Sequence, residues 1–512
     1  MSSSDHRVIV GQTGQNVLGL GIGAVATFAA QVLMTRALGD EAYGVVTLTT
    51  QAAFVAAAAT RFGMDVANVR LLAILAGRNQ VIRARGLVRR SVAITLSVSI
   101  PFSIVAFVSA RWLAERFTAV PDVAEPAFRA AAVTVPFAAL AFTYMGATRG
   151  LKIMRYTLYS QWIVQPVGWI VLAIAFWTVS ETAGMTTFAF AVSWALALGV
   201  ALWGWEREQR GFPEAGASGA GIAEERTRGL LRFGALRAPA TLFSQLIFWT
   251  DLFVLAVLWS GEGPAGASQV GIYSAVLRAS QAVFLFLTSV ALTFSPFVAD
   301  LHHRGERTQL DALYKNVTRW TFAATIPVLL VLGIMPGETL RIFGDEFAAG
   351  ADALRIVIVG MIVSVMVGTV GFILIMAGRT GWDLAVYVGA FAIDIGIAVT
   401  FAGPDRLGIR GAALAQALAS SFSNGARLLL VRRFLGIWPF DQAWFRLIVP
   451  TVLAALTMGL AHAVMPDERW FLDLLVSAAV GGVVYVGSLL AVGLSPSERA
   501  AAARLLRRSR AL

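Results

Sequence analysis

GIYSAVLRASQAVF, residues 271–284, sets an arginine, Arg278, inside a run that is otherwise apolar. EAYGVVTLTTQAAF, residues 41–54, has the same build without the arginine. Placing Tyr43 on Tyr273 lays YGVVTLTTQ over YSAVLRASQ and matches Tyr, Val and Gln. Arg149 falls on Arg379 at the same offset of 230 residues, and Gly77 falls near Gly305. One offset shared across three loops predicts an internal repeat. The counterpart of Arg278 in the first copy is Leu48. The repeated scaffold therefore does not require the arginine.

Composition sets the medium in which the repeat folds. The chain has 512 residues, 57% hydrophobic and 14% charged, where a soluble domain carries about 25% charged residues. Mean hydropathy is +0.72. A bilayer core needs about 20 consecutive apolar residues per spanning helix. The apolar runs are long, rich in Ala, Leu, Val and Gly, and do not alternate, so helices rather than barrel strands are expected. Fourteen such segments lie near 13–38, 43–68, 87–110, 124–147, 156–179, 184–205, 230–259, 269–298, 313–335, 352–377, 383–402, 409–431, 443–465 and 470–494. The polar start MSSSDHRVIVGQTGQN leads into a run too long for a signal-peptide core and without a small-residue cleavage site at its end, so it reads as the first span.

Arginine placement sets the orientation. With the N-terminus inside, the inner loops gather Arg70, Arg78, Arg83, Arg85, Arg89 and Arg90, then Arg149, Lys152 and Arg155. The stretches 206–237, 300–319 and 427–446, Arg379 and the tail Arg499, Arg504, Arg507, Arg508 and Arg510 fall on the same side. The positive-inside rule then predicts both termini in the cytoplasm. The formal charge of +11 follows from this loop bias, and nucleic acid is not an expected partner. The polar stretch 206–229, EREQRGFPEAGASGAGIAEERTRG, has the composition of a flexible linker. Expected domains are 1–205, six helices; 206–229, a cytoplasmic linker; 230–435, six helices; and 436–512, two further helices with a basic tail. An even number of helices separates repeat partners, so the halves are parallel repeats, a common transporter plan with the substrate path between them.

The pattern LMTRALGDEAYGVVTL resembles the R-x-LG-x-x-x-YG signature of bacterial polysaccharide flippases. WTDLFVLAVLW, VGIYSAV, GIRGAALAQALA and RRFLGIWP are similar to the same family. It is the oligosaccharide-lipid flippase branch of the multidrug/oligosaccharidyl-lipid/polysaccharide exporter superfamily. The resemblance implies twelve core helices in two bundles around a central cavity, with two more appended. It also implies a multi-pass protein of the bacterial cytoplasmic membrane that moves an undecaprenyl-pyrophosphate-linked glycan to the outer leaflet. Implied partners are that lipid-linked glycan, membrane lipids and polysaccharide polymerase or assembly proteins.

An arginine at mid-span costs about 2.5–3.5 kcal/mol to insert and normally faces protein or water. Arg278 is a candidate for pyrophosphate or an acidic sugar, because its planar fork holds two oxygens at once; a snorkelling or structurally paired arginine is the other reading. Arg61 and Asp65 are spaced i, i+4 and can pair. They form a structural ion pair, or Arg61 lines the cavity opposite Arg278 while Asp65 tunes it or exchanges a proton. Gln51 and Gln281 are further substrate candidates; polar residues in spans also bridge helices. Asp251 and Asp394, lone carboxylates in apolar runs, are ion-coupling candidates, with a structural ion pair as the alternative for Asp251. Pro166 and Gly168 are hinge candidates.

No cysteine is present and the four histidines are scattered, so neither a metal centre nor a cofactor is expected. No G-x-x-x-x-G-K-[ST] sequence occurs, which excludes a P-loop ATPase in this chain. A glycosyltransferase or polymerase is the enzyme alternative, but it needs a sizeable outer loop that the spacing leaves no room for. A multidrug or cation antiporter favours an acidic cavity, whereas the strongest intramembrane charges here are arginines. A peptidoglycan-precursor flippase shares the physics with a different glycan. A purely structural membrane scaffold has no use for the buried charges.

Overall fold

The structure is a computed structural model that describes residues 3–77, 83–212, 229–231, 234, 238–239, 241–243, 245–368 and 370–493. Most of the linker, the basic loop 78–82 and the basic tail lie outside the described residues. No strand occurs among the described residues. Ten helices there are long and apolar enough to cross a membrane. The chain is thus an all-α, multi-pass membrane protein. In hydrocarbon each helix satisfies its own backbone, which is why apolar runs of this length become helices. Large apolar side chains point outward along them, among them Val105, Val108, Val171, Leu456, Leu460 and Val483, as a lipid-facing surface allows.

Several boundaries fall within a few residues of expectation: Ala84–Val108, Pro121–Gly150, Ala183–Gln209, Thr380–Phe401 and Ile409–Leu435. Others differ for local reasons. The expected gap after residue 38 is a kink inside one helix, Ser3–Thr60, where Gly39 takes φ 71. Glycine adopts that conformation without steric cost. The expected helix 43–68 breaks at 61–63, where Phe62 (φ 51) and Gly63 (φ 70) are left-handed, and restarts as Met64–Gly77. The expected helix 352–377 breaks at Gly368 (φ 65). The expected helix 269–298 is longer, Gly263–His303. Arg278 then sits about 22 Å from that helix's start at 1.5 Å per residue. Before Pro166 the helix widens into a π-turn, Leu158–Val164. Proline lacks the N–H that an α-turn needs there.

The chain groups into two compact units, 1–274 with 399–408, and 275–398 with 409–512. In the first, a relay of rings fills the core. Phe54 and Phe142 lie 5.8 Å apart, Phe142 and Trp194 5.3 Å, Phe190 and Trp194 6.3 Å, and Trp169 and Phe190 4.8 Å. The segment 399–408 joins this unit through Trp259, whose indole donates to the Ala402 carbonyl at 2.8 Å. The stretches around Gly44 and Gly271 also meet here. A Cβ on Gly44 would lie 2.7 Å from the Ala267 carbonyl oxygen and 2.8 Å from the Gly271 nitrogen. One on Gly271 would overlap the Asp40 carbonyl. Asp40 accepts from the Ser268 hydroxyl beside this contact. Backbones approach this closely only across small residues.

In the second unit the last two helices, Ile448–Val464 and Trp470–Ser488, dock on Arg307–Ile334. Met335, Met458 and Leu474 form a shared apolar cluster. The Tyr485 hydroxyl donates to the Ala323 carbonyl at 2.7 Å.

Candidate functional site

In the first unit, the break at 61–63 carries Arg61 inward. Its Nε lies 3.3 Å from Asp65 Oδ2, with side-chain exposures of 7% and 8%. Its guanidinium sits 4.6 Å above the Phe142 ring. Phe142, Gly146 and Arg149 recur at spacings of four and three on Pro121–Gly150, so they share one face. That face supplies the ring below Arg61, a glycine against Asp65 and a second cation. A Cβ on Gly146 would come within 2.8 Å of Asp65 Cα. Arg149 lies close enough to interact electrostatically with both Asp65 and Arg61, and its Nε donates to the Met145 carbonyl at 3.3 Å. Asp65 Oδ1 is buried and accepts no hydrogen bond among the described residues. Around the cluster, Asn68 donates to the Thr143 carbonyl at 3.1 Å and accepts from Ser91 at 2.7 Å. Arg61 pairs with Asp65 in a buried setting, where electrostatic forces are strong, and the half-buried Arg149 adds a second positive charge nearby.

The structure joins some predicted residues and separates others. Arg61 and Asp65 pair as their spacing suggested. Arg278 and Gln281, in the second unit, are one helical turn apart, and Arg278 Nη1 donates to Gln281 Oε1 at 3.2 Å. Both are half-buried, so this arginine is more accessible than Arg61 in this conformation. Gln51 is buried, and its amide contacts Thr50 Oγ1 at 3.4 Å. Asp251 is fully buried. It accepts from the Tyr273 hydroxyl and, at 2.9 Å, from the Leu252 N–H. Among the described residues its side-chain partner is this tyrosine. Tyr43 likewise buries its hydroxyl and donates to Gln31 Oε1 at 2.8 Å. Asp394 is buried within Thr380–Phe401. Pro166 is buried at the start of Gln165–Trp177. Gly168 has ordinary clearance, with Leu196 and Ser193 3.7 Å from a Cβ built there.

Sequence reasoning passed over two arginines. Arg149 counts with the inner loops by sequence, though its i+7 spacing from Phe142 is visible there. Arg427 was counted with a loop. It is buried in Ile409–Leu435, where Nε donates to Asp383 Oδ1 at 2.8 Å and Nη1 to Ser423 Oγ at 2.5 Å. Its guanidinium lies 4.3 Å from the Tyr387 ring centre. Opposite charges at the outer ends of two consecutive apolar segments, Asp383 opening one and Arg427 near the close of the next, are the available signal. Among the described residues, Glu338, His462 and Asp473 of the second unit bring potential metal-ligating atoms within 4.8 Å of one another.

The sequence profile of the family described as polysaccharide biosynthesis protein matches residues 12–302. The chain belongs to this polysaccharide biosynthesis family. The matched range spans the repeat motif, the Arg61 cluster and Asp251. No curated protein sequence matches the chain. Among solved structures, family membership agrees with the fold. A lipid II flippase MurJ in an inward closed conformation superposes with a TM-score of 0.69 at 14% identity, over 93% of this chain and 97% of the other. An inward-facing multidrug resistance MATE transporter of the MOP superfamily gives 0.65 at 15% identity, over 82% and 98%. A MOP superfamily transporter from Pyrococcus furiosus, reported with a binding pocket of reversed polarity, gives 0.60 at 15%, over 83% and 96%. This polysaccharide biosynthesis protein therefore has the fold of the MOP flippases and exporters.

Proposed function

We propose that the chain is a secondary transporter that flips an undecaprenyl-pyrophosphate-linked oligosaccharide from the inner to the outer leaflet for surface polysaccharide biosynthesis, by alternating access. Family membership and the MOP fold support transport rather than catalysis. The observation that carries the substrate class is the excess of guanidinium over carboxylate where Arg61 pairs with Asp65 and Arg149 lies within electrostatic reach of both. Such an excess suits a phosphate-bearing anion and disfavours cationic drugs. Arg278 with Gln281, and Gln51, are the further substrate contacts in this reading. Asp65, Asp251 and Asp394 are its ion-coupling candidates, and Pro166 and Gly168 its hinge.

The proposed architecture is fourteen spans: two parallel six-helix repeats, at 1–205 and 230–435, joined by the linker 206–229. Two added helices and a basic tail occupy 436–512. Both termini are cytoplasmic, the membrane is the bacterial inner membrane, and polymerase or assembly proteins are the partners. Deletion of the gene is expected to leave an uncapped lipid-linked glycan on the inner leaflet and to deplete surface polysaccharide. Unchanged surface glycan with altered resistance to cationic dyes would overturn this in favour of an antiporter. The extended match to a lipid II flippase, over 93% of this chain, favours a peptidoglycan-precursor flippase as the second reading. Accumulated lipid II in the deletion strain selects it.

A further inference from the structure

The two last helices are the part of the fold that the internal repeat does not account for. At one end of them three polar side chains converge. Glu338 sits in the short helix Pro336–Arg341. His462 lies in the last turn of Ile448–Val464, and Asp473 in the first turn of Trp470–Ser488. One ligand atom from each lies within 4.8 Å of the other two. We propose that Glu338, His462 and Asp473 bind a divalent transition-metal ion, zinc foremost, which staples the appended helix pair to the six-helix body.

Three features carry the argument. The first is the donor set. One imidazole nitrogen and two carboxylate oxygens form a zinc-type set, whereas calcium and magnesium sites are built from oxygen alone. The second is geometry. Zinc–ligand bonds of about 2.0–2.2 Å put neighbouring ligand atoms of a tetrahedron about 3.3–3.5 Å apart. The His462 Nδ1 to Asp473 Oδ2 separation is 2.7 Å, and the widest in the group is within 4.8 Å. These values bracket the required spacing, so side-chain adjustment of about 1 Å builds the site. Nδ1 and Oδ2 lie at hydrogen-bonding distance, and a metal bound between them would replace that contact, as ligation of a deprotonated nitrogen requires.

The third feature is outside the ligands. Asp473 is buried, and its second oxygen, Oδ1, accepts from the Ser477 hydroxyl at 2.8 Å. That bond fixes the carboxylate with Oδ2 aimed at His462, the kind of outer hydrogen bond that orients a metal ligand. The three ligands come from three segments, so one ion joins the turn after Arg307–Ile334 to both appended helices. His462 is partly exposed, which gives the ion a route in.

The test uses the full-length protein in detergent, with zinc as the probe. Zinc content after dialysis is expected near one ion per chain in the wild type and near zero in His462→Ala and Asp473→Asn. Added zinc is expected to raise the Tm of the wild type and not that of His462→Ala. Ser477→Ala keeps all three ligands and the fold, and is expected to weaken zinc binding about 10- to 100-fold. Cobalt(II) is expected to give a visible d–d spectrum in the wild type that His462→Ala lacks. Equal zinc content in wild type and His462→Ala, an unchanged affinity in Ser477→Ala, or a bound ion with no Tm shift would each overturn the proposal.

Discussion

Replacing Arg61 with alanine strips the nearest cation from a carboxylate that is 8% exposed. Breaking a buried ion pair from one side costs about 3–5 kcal/mol, because the remaining charge stays desolvated. Arg149 also acts on Asp65, so the loss belongs at the lower end, about 3 kcal/mol. That is about a hundredfold fall in the folded-to-unfolded ratio at 1.4 kcal/mol per decade. Loss of the guanidinium from above Phe142 removes a further contact worth about 0.5–2 kcal/mol. Replacing both partners, Arg61→Met with Asp65→Leu, removes the stranded charge and is expected to recover at least half of the loss. Recovery stays partial because Arg149 then loses its own carboxylate. Thermal unfolding in detergent and abundance in the membrane measure this part. Surface-glycan export measures the other part: the double variant is expected to be present and inactive. An Arg61→Ala protein as stable as the wild type refutes the ion-pair reasoning. Full export by the double variant removes Arg61 from substrate handling.

Tyr273→Phe withdraws the hydroxyl from the fully buried Asp251 and leaves a buried acceptor without that donor. The expected cost is about 1–3 kcal/mol, and unchanged thermal unfolding counts against the assignment. Gly146→Ala presses a methyl into the Asp65 backbone and is expected to destabilise by about 1–3 kcal/mol. Gly199→Ala, where nothing lies within 4 Å, serves as the neutral control. Gly168→Ala fits sterically and favours the helix by up to about 1 kcal/mol, so reduced export at undiminished stability is the expected signature of a hinge. Undiminished export removes Gly168 from that role.

Helix positions were legible wherever a run of apolar residues ended in polar ones, as at 383–402 against the observed Thr380–Phe401. Breaks were less legible. Gly63 is an obvious place for positive φ, but Phe62 shares it, and nothing in a phenylalanine marks a left-handed residue. The end of Gly263–His303 was misplaced because Gly263 to Gln269 reads as a loop by composition while its backbone continues the helix. Pairings across helices were the least legible. The sequence marks Asp251 as a lone carboxylate and does not show that Tyr273, 22 residues on, donates to it. Arg427 and Asp383, separated by 44 residues, meet only because two helices run back along each other. Spacing along one helix shows which residues share a face; it does not show which face a distant helix presents.

The Gly44–Gly271 approach has a consequence for how the first unit can move. Two backbones that exclude even a methyl group fit in one register or not at all, since a slide of one residue brings Tyr43, Val45, Ile272 or Val270 into the gap. Motion there is therefore discrete, with seated and parted arrangements and no graded series between them. A chain without a single cysteine offers a clean background for watching that step, because one thiol placed at Asp40 and another at Ser268 would report on nothing else.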